Sequence, residues 1–224
     1  MRSWVMAAWL LLVLAGGGCS QEASVAEDAA PTQVAEAPAA HGPLVVFLGD
    51  SLTAGYGLAE EEAFPARLAA ALREEGHPVR VVNAGVSGDT SAGGLRRLPW
   101  LLTQHPDVMV VALGANDGLR GLSVSLTEKN LREIVAQARG KGVRVLLLGL
   151  RLPPNLGADY VRAFEAVYPR VAREAGVPLV PFFLEGVGGV AALNQEDGIH
   201  PTAEGQRRIA ATVLPYLEPL VQER

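Results

Sequence analysis

Leu44-Val45-Val46-Phe47-Leu48-Gly49-Asp50-Ser51-Leu52-Thr53-Ala54-Gly55-Tyr56-Gly57 is the stretch on which the fold turns. Five apolar residues without polar alternation, Leu44 to Leu48, read as a strand covered on both faces, the habit of a parallel sheet. The run then breaks into Gly, Asp, Ser and Thr, the composition of a tight loop. A helical pattern follows from about Glu61. Strand, polar turn and helix in that order predict the first half of a βαβ unit. Ser51 then stands at the carboxyl end of the strand, where open α/β sheets hold their ligands.

Downstream, the alternation repeats. Glu60-Glu61-Glu62-Ala63-Phe64-Pro65 opens a helix with acids at its positive end, and Phe64, Leu68 and Leu72 form its buried stripe. Val79 to Val82 is a second strand, followed by a loop of little bulk, Asn83 to Thr90. Leu95, Leu98, Leu101 and Leu102 stripe the next helix. Asp107 to Leu113 is a third strand ending in Gly114-Ala115-Asn116-Asp117-Gly118, and a helix spans about Ser125 to Arg139. Val143 to Leu150 and Val177 to Phe183 are the remaining strands, separated by a helix from about Ala158 to Ala175. A last helix runs from about Ala203 to Leu217. Strands alternating with helices predict an α/β fold, a three-layer αβα sandwich around a central parallel five-stranded sheet with right-handed crossovers. The loops after the first three strands are expected to share one edge of that sheet.

Ahead of this domain the sequence is of another kind. Met1-Arg2-Ser3 carries one positive charge, and an apolar run from Trp4 to Ala15 follows, about twelve residues where a bilayer span needs roughly twenty. A basic start, a short apolar core and small residues describe an export signal. It ends in Leu14-Ala15-Gly16-Gly17-Gly18-Cys19, which resembles a bacterial lipobox, with Gly16 as a departure from the usual pattern. Cys19, the single cysteine, is therefore expected to be lipidated; the alternative is a leftover thiol in a discarded peptide. Ser20 to Pro43 is rich in Ala, Glu, Pro and Gln without hydrophobic period and reads as a flexible tether. The expected organisation is residues 1–19 signal, 20–43 tether and 44–224 one folded domain, on a protein exported and anchored to a membrane, facing the periplasm or cell exterior. A net charge of −5 with no basic cluster argues against nucleic acid as a partner. An apolar fraction of 49% supplies a core without disulfides.

A serine nucleophile needs a base, and the chain has four histidines. His41 lies in the tether. His77 and His105 each precede a proline before a strand, on the sheet edge opposite Ser51, where a cation at a helix C-terminus is the plain reading. His200 follows the fifth strand, with Asp197 three residues upstream, close enough in a turn to accept a hydrogen bond from the imidazole and fix its tautomer. Asp197 to Thr202 read alone is a turn and a helix start. Paired with Ser51 it is a candidate base and its orienting acid. An oxyanion needs fixed donors. Candidates are the Ser51 N–H, the Gly88 N–H and the Asn116 side-chain amide, although Gly88 alone could serve a positive φ and Asn116 alone could close a turn. No His/Cys/Asp/Glu spacing suits a metal, and no cofactor is called for.

Four blocks carry a resemblance: Gly49-Asp50-Ser51-Leu52, Ser87-Gly88-Asp89-Thr90, Gly114-Ala115-Asn116-Asp117 and Asp197-Gly198-Ile199-His200-Pro201. In order and spacing they resemble the SGNH (GDSL) hydrolases. Val82-Asn83-Ala84, Asn116 to Gly121, Arg151-Leu152-Pro153 and Val180-Pro181-Phe182-Phe183 are similar to the branch of acyl-CoA thioesterase I, lysophospholipase L1 and arylesterase. Ala115 departs from the usual Gly or Asn and leaves the Asn116 donor in place. The resemblance implies a flavodoxin-like sheet, a Ser51–His200–Asp197 triad and an oxyanion site of Ser51, Gly88 and Asn116. It implies a serine esterase, also acting on thioesters, that works through an acyl-enzyme without cofactor or metal. It further implies an acyl groove lined by Leu119, Arg120, Leu150, Leu152 and Pro153, and a protein that works as a monomer on a small-molecule ester or thioester. Two other readings remain at this point: a carbohydrate O-acetyl esterase of the same superfamily, and a flavodoxin-like module binding a phosphate or flavin after the first strand.

Overall fold

The computed structural model describes residues 42–222. The expected signal, the Cys19 lipidation site and most of the tether lie outside the described residues. Five strands form one sheet in the order β2-β1-β3-β4-β5, all pairs parallel: β1 Leu44–Gly49, β2 Arg80–Gly85, β3 Val108–Ala112, β4 Arg144–Leu148 and β5 Leu179–Val180. This is the predicted three-layer α/β architecture. The helices are α1 Ser51–Ala54, α2 Phe64–Glu74, α3 Ser91–Leu102, α4 Ala115–Leu119, α5 Val124–Gly140, α6 Ala158–Glu165, α7 Val167–Ala175 and α8 Ala203–Gln222.

The chain steps from β1 one way to β2, then reverses past β1 to β3 and onward. Right-handed crossovers therefore send α2 to one face and α3, α5 and α7 to the other. The packing agrees, with α2 against α8 and α3, α5 and α7 side by side. Every residue of β1 and β3 is buried, as a strand covered twice must be. Beneath α2, Phe47 meets Phe64 edge-on at 5.6 Å, and Phe64 meets Phe183 at 6.0 Å. Register does the rest: Gly49 pairs with both Gly85 and Ala112, so the first three strands end level. Ser51, Gly88 and Asn116 follow those ends by two to four positions and share one edge, at the switch point between β1 and β3.

Several boundaries move, each for a local reason. The acids Glu60–Glu62 form a separate 3-10 turn, and α2 begins only at Phe64. Pro65 has no N–H to continue a helix back to Glu61, but is at home in a first turn. The single helix expected over Ala158 to Ala175 is two, divided at Ala166. Pro169 cannot donate to the Glu165 carbonyl, and the break lets Val167, Tyr168, Val171 and Ala172 face the core. The fifth strand shrinks to two residues because Pro178 and Pro181 bracket it. Conversely α8 passes through Pro215 and Pro219 to Gln222. Both prolines lie on its exposed face, where water serves the carbonyls they leave without donors. β2 extends to Gly85 because β1 offers partners along its whole length.

Candidate active site

β1 delivers the chain to Asp50, which caps α1 by accepting the Leu52 N–H at 3.0 Å. Ser51 is thus the first residue of a one-turn helix rather than part of an open loop. Gly49 is required at the transition, since a Cβ there would fall 1.9 Å from Thr53 Oγ1. The turn is fastened to the rest of the fold by two long-range amides. Asn83 Nδ2 donates to the Thr53 carbonyl at 2.9 Å and Gln206 Nε2 to the Leu52 carbonyl at 3.0 Å.

His200 arrives from the far end of the chain, on the loop between β5 and α8. Its Nε2 lies 2.9 Å from Ser51 Oγ and its Nδ1 2.6 Å from Asp197 Oδ2. A carboxylate only accepts, so Nδ1 carries the proton toward Asp197 and Nε2 is left to accept from the Ser51 hydroxyl. The second Asp197 oxygen, Oδ1, accepts the N–H groups of Ile199 at 2.9 Å and His200 at 3.0 Å. These bonds hold the Asp197 carboxyl down to a pKa of about 2, the His200 backbone N–H contributing most. The Tyr56 ring lies 4.5 Å from the imidazole, tilted by 36°. Gln195 holds this arrangement from behind, donating to the carbonyls of Tyr56 at 2.7 Å and Pro201 at 3.1 Å.

Around the serine, the loops after β1, β2 and β3 are bound to one another. Gly88 has φ +79°, a value that favours glycine, and its N–H donates to no described backbone carbonyl. The Asn116 Nδ2 donates to the Asp89 carbonyl at 2.9 Å and reaches Asp50 Oδ2 at 3.5 Å. Arg97, from α3, pairs with Asp89 at 2.8 Å and donates to the carbonyls of Ala84 at 2.6 Å and Gly49 at 2.7 Å. One guanidinium therefore ties the ends of two strands to the Gly88 loop. Asp50 is buried between these groups, and that burial pushes its carboxyl up to about 7, with the Asp89 charge adding to the shift.

The expected groove residues divide. Leu119, Arg120 and Pro153 are exposed, whereas Leu150 and Leu152 are buried in the core, Leu152 packing where a Gly118 side chain would sit. His77 and His105 lie at the opposite sheet edge, His77 beside Gln222 and Glu218 at the end of α8. Sequence reasoning passed over Tyr56, Arg97 and Gln195. Arg97 stands in a helix like any surface cation, and only the fold reveals the three acceptors it serves. For Gln195 the one signal was its place two residues before Asp197.

A hydroxyl, an imidazole and a carboxylate in series at the switch point of a doubly wound sheet define a serine hydrolase. The chain belongs to the GDSL-like Lipase/Acylhydrolase family, which matches residues 47–208. Esterase TesA of Pseudomonas aeruginosa is 49% identical over 178 residues, 79% of this chain and 89% of that protein. Thioesterase 1/protease 1/lysophospholipase L1 of Escherichia coli strain K12 is 45% identical over 184 residues, 82% of this chain and 87% of that one. Among solved structures, the crystal structure of TesA aligns with a TM-score of 0.77 at 49% identity, covering 79% of this chain and 99% of that chain.

Proposed function

We propose that this serine hydrolase cleaves carboxylic esters and thioesters of short to medium acyl chains through an acyl-enzyme on Ser51. The observation that carries the reading is the continuous relay from Ser51 Oγ through His200 to Asp197, at 2.9 and 2.6 Å. His200 Nε2 takes the hydroxyl proton as Oγ attacks the carbonyl carbon, and Asp197 stabilises the imidazolium. The tetrahedral oxyanion is held by the N–H groups of Ser51 and Gly88 and by Asn116 Nδ2, which trades its long contact with Asp50 for the substrate oxygen. The protonated imidazole then gives its proton to the leaving alkoxide or thiolate. Water, deprotonated by the same nitrogen, cleaves the acyl-enzyme and regenerates the serine.

Aryl esters, thioesters and lysophospholipids are the substrate classes that the names of the relatives favour. We place the enzyme outside the cytoplasm, tethered by a lipid on Cys19. This rests on the signal-like run ending at the only cysteine and on the Ala/Pro/Glu-rich segment that follows. Mass spectrometry of the membrane fraction tests the modification.

The deciding experiment is an acyl series from acetyl to decanoyl on p-nitrophenyl and CoA leaving groups, with Ser51→Ala as control. Turnover of both leaving groups, peaking beyond acetyl, is expected. Ser51→Ala is expected to fold normally and to lose turnover and labelling by a fluorophosphonate. An active Ser51→Ala protein would exclude Ser51 as nucleophile, and activity confined to acetyl esters would favour carbohydrate O-acetyl groups as substrate.

A further inference from the structure

Arg120 lies four residues after Asn116, at the end of α4, a spacing that puts both side chains on one side of a helical turn. Its Nη2 donates to Asn116 Oδ1 at 3.2 Å and to the Gly88 carbonyl at 3.0 Å. One exposed cation thus grips two groups assigned to the oxyanion site, Gly88 through its carbonyl and Asn116 through the oxygen of its carboxamide. A guanidinium has no acceptor, so only the carboxamide oxygen can face it, while the Asp89 carbonyl has no donor and takes only the amide nitrogen. Between them Arg120 and Asp89 leave the Asn116 carboxamide a single orientation. The charge on Oδ1 also draws electron density from the amide and makes its N–H a stronger donor.

We infer that Arg120 is a positioning residue of the oxyanion site: it fixes the Asn116 amide and the Gly88 loop in the geometry that receives developing charge, instead of meeting the substrate's own anion. The inference rests on the acyl-enzyme reading above and assigns the exposed arginine a rate effect common to all substrates. A residue that binds a phosphate on the leaving group would instead act on KM, and only for anionic substrates.

Kinetics of the purified protein on neutral p-nitrophenyl butyrate and on anionic butyryl-CoA separate the two roles. Arg120→Ala is expected to lower kcat about 10- to 100-fold on both substrates, the scale of a misplaced catalytic group, with KM changed less than about 2-fold. Arg120→Lys should recover part of the loss, and millimolar guanidinium should partly rescue Arg120→Ala. In an Asn116→Ala background, adding Arg120→Ala should cost several-fold less than it does in the parent, because the Asn116 amide it orients is already gone and only its hold on the Gly88 carbonyl remains to be lost. Circular dichroism checks folding, and Arg120→Met, which keeps the apolar stem, replaces Arg120→Ala if the latter unfolds.

Unchanged kcat on p-nitrophenyl butyrate, a KM rise confined to butyryl-CoA, or additive losses in the double variant would each overturn the inference. Ser51→Ala keeps the two readings apart. An inactive Ser51→Ala beside a fully active Arg120→Ala leaves the acyl-enzyme standing and removes Arg120 from it, whereas an active Ser51→Ala removes the reading beneath both.

Discussion

Asp50 and Asp197 stand on either side of the Ser51–His200 pair in opposite electrostatic states, one carboxyl raised to about 7 and the other lowered to about 2. The cause is access to donors and water. Asp197 accepts three hydrogen bonds in a half-open turn, whereas Asp50 is almost wholly enclosed and accepts a single short backbone bond, from Leu52. The separation keeps Asp197 charged to support an imidazolium, the arrangement expected of acid and base partners. It also sets a stability trend. Between pH 4 and about 7 the folded Asp50 holds a proton that the unfolded chain has released, so its contribution to stability falls as pH rises through that window. Asn keeps the cap on Leu52 without the charge. Asp50→Asn should therefore be more stable than the parent at pH 8, by about 2–4 kcal/mol in urea unfolding, with the gap closing toward pH 4. An equal gap at both pH values would assign it to packing. Ser51, Asp197 and His200 were legible because short blocks name them. The burial of Asp50 was not, since it depends on what segments far along the chain lay over it.

At the scale of elements, proline decided most of the departures from expectation. Apolar spacing predicts helix over Ala158 to Ala175 but is blind to the hydrogen bond that Pro169 withholds, so one predicted helix is two. Ends that depend on a distant partner are equally hidden. α2 starts at a residue whose N–H has no local side-chain cap, and Gln206 of α8, 142 positions away, accepts it at 2.9 Å while donating to the Leu52 carbonyl. In the sequence Gln206 is an ordinary polar residue on a helix. In the fold it is 1% exposed and joins α8, α2 and the turn bearing Ser51. Gln206→Leu should fill the space but orphan a buried donor and a buried acceptor, costing about 2–4 kcal/mol. Thermal unfolding should register a drop of about 5–15 °C for a domain of this size. A loss under 2 °C would mean that water replaces both bonds.

For the whole molecule, the sheet was readable because strand and helix periods differ so plainly, and its handedness follows from chain chirality. Strand order was legible only through the family resemblance, which implies a flavodoxin-like sheet: apolar periodicity by itself does not say that β1 sits between β2 and β3, the circumstance that makes the loops bearing Ser51, Gly88 and Asn116 neighbours on their shared edge. Nor does composition foretell that Arg97 binds strand ends and loop together.

Asp197 and His200 are three residues apart and bonded to each other within their own turn, whereas the serine they serve is 149 positions distant. The proton-handling half of the chemistry is in effect a self-contained cassette, and the nucleophilic half belongs to the scaffold. The two halves meet at a seam, where the imidazole reaches the hydroxyl and Gln195 donates to the Tyr56 carbonyl. As urea rises, esterase output should vanish before far-ultraviolet ellipticity changes, and on dilution it should return with the speed of a loop reseating, not of a sheet reforming. Coincident loss of both signals would mean that cassette and scaffold melt as one.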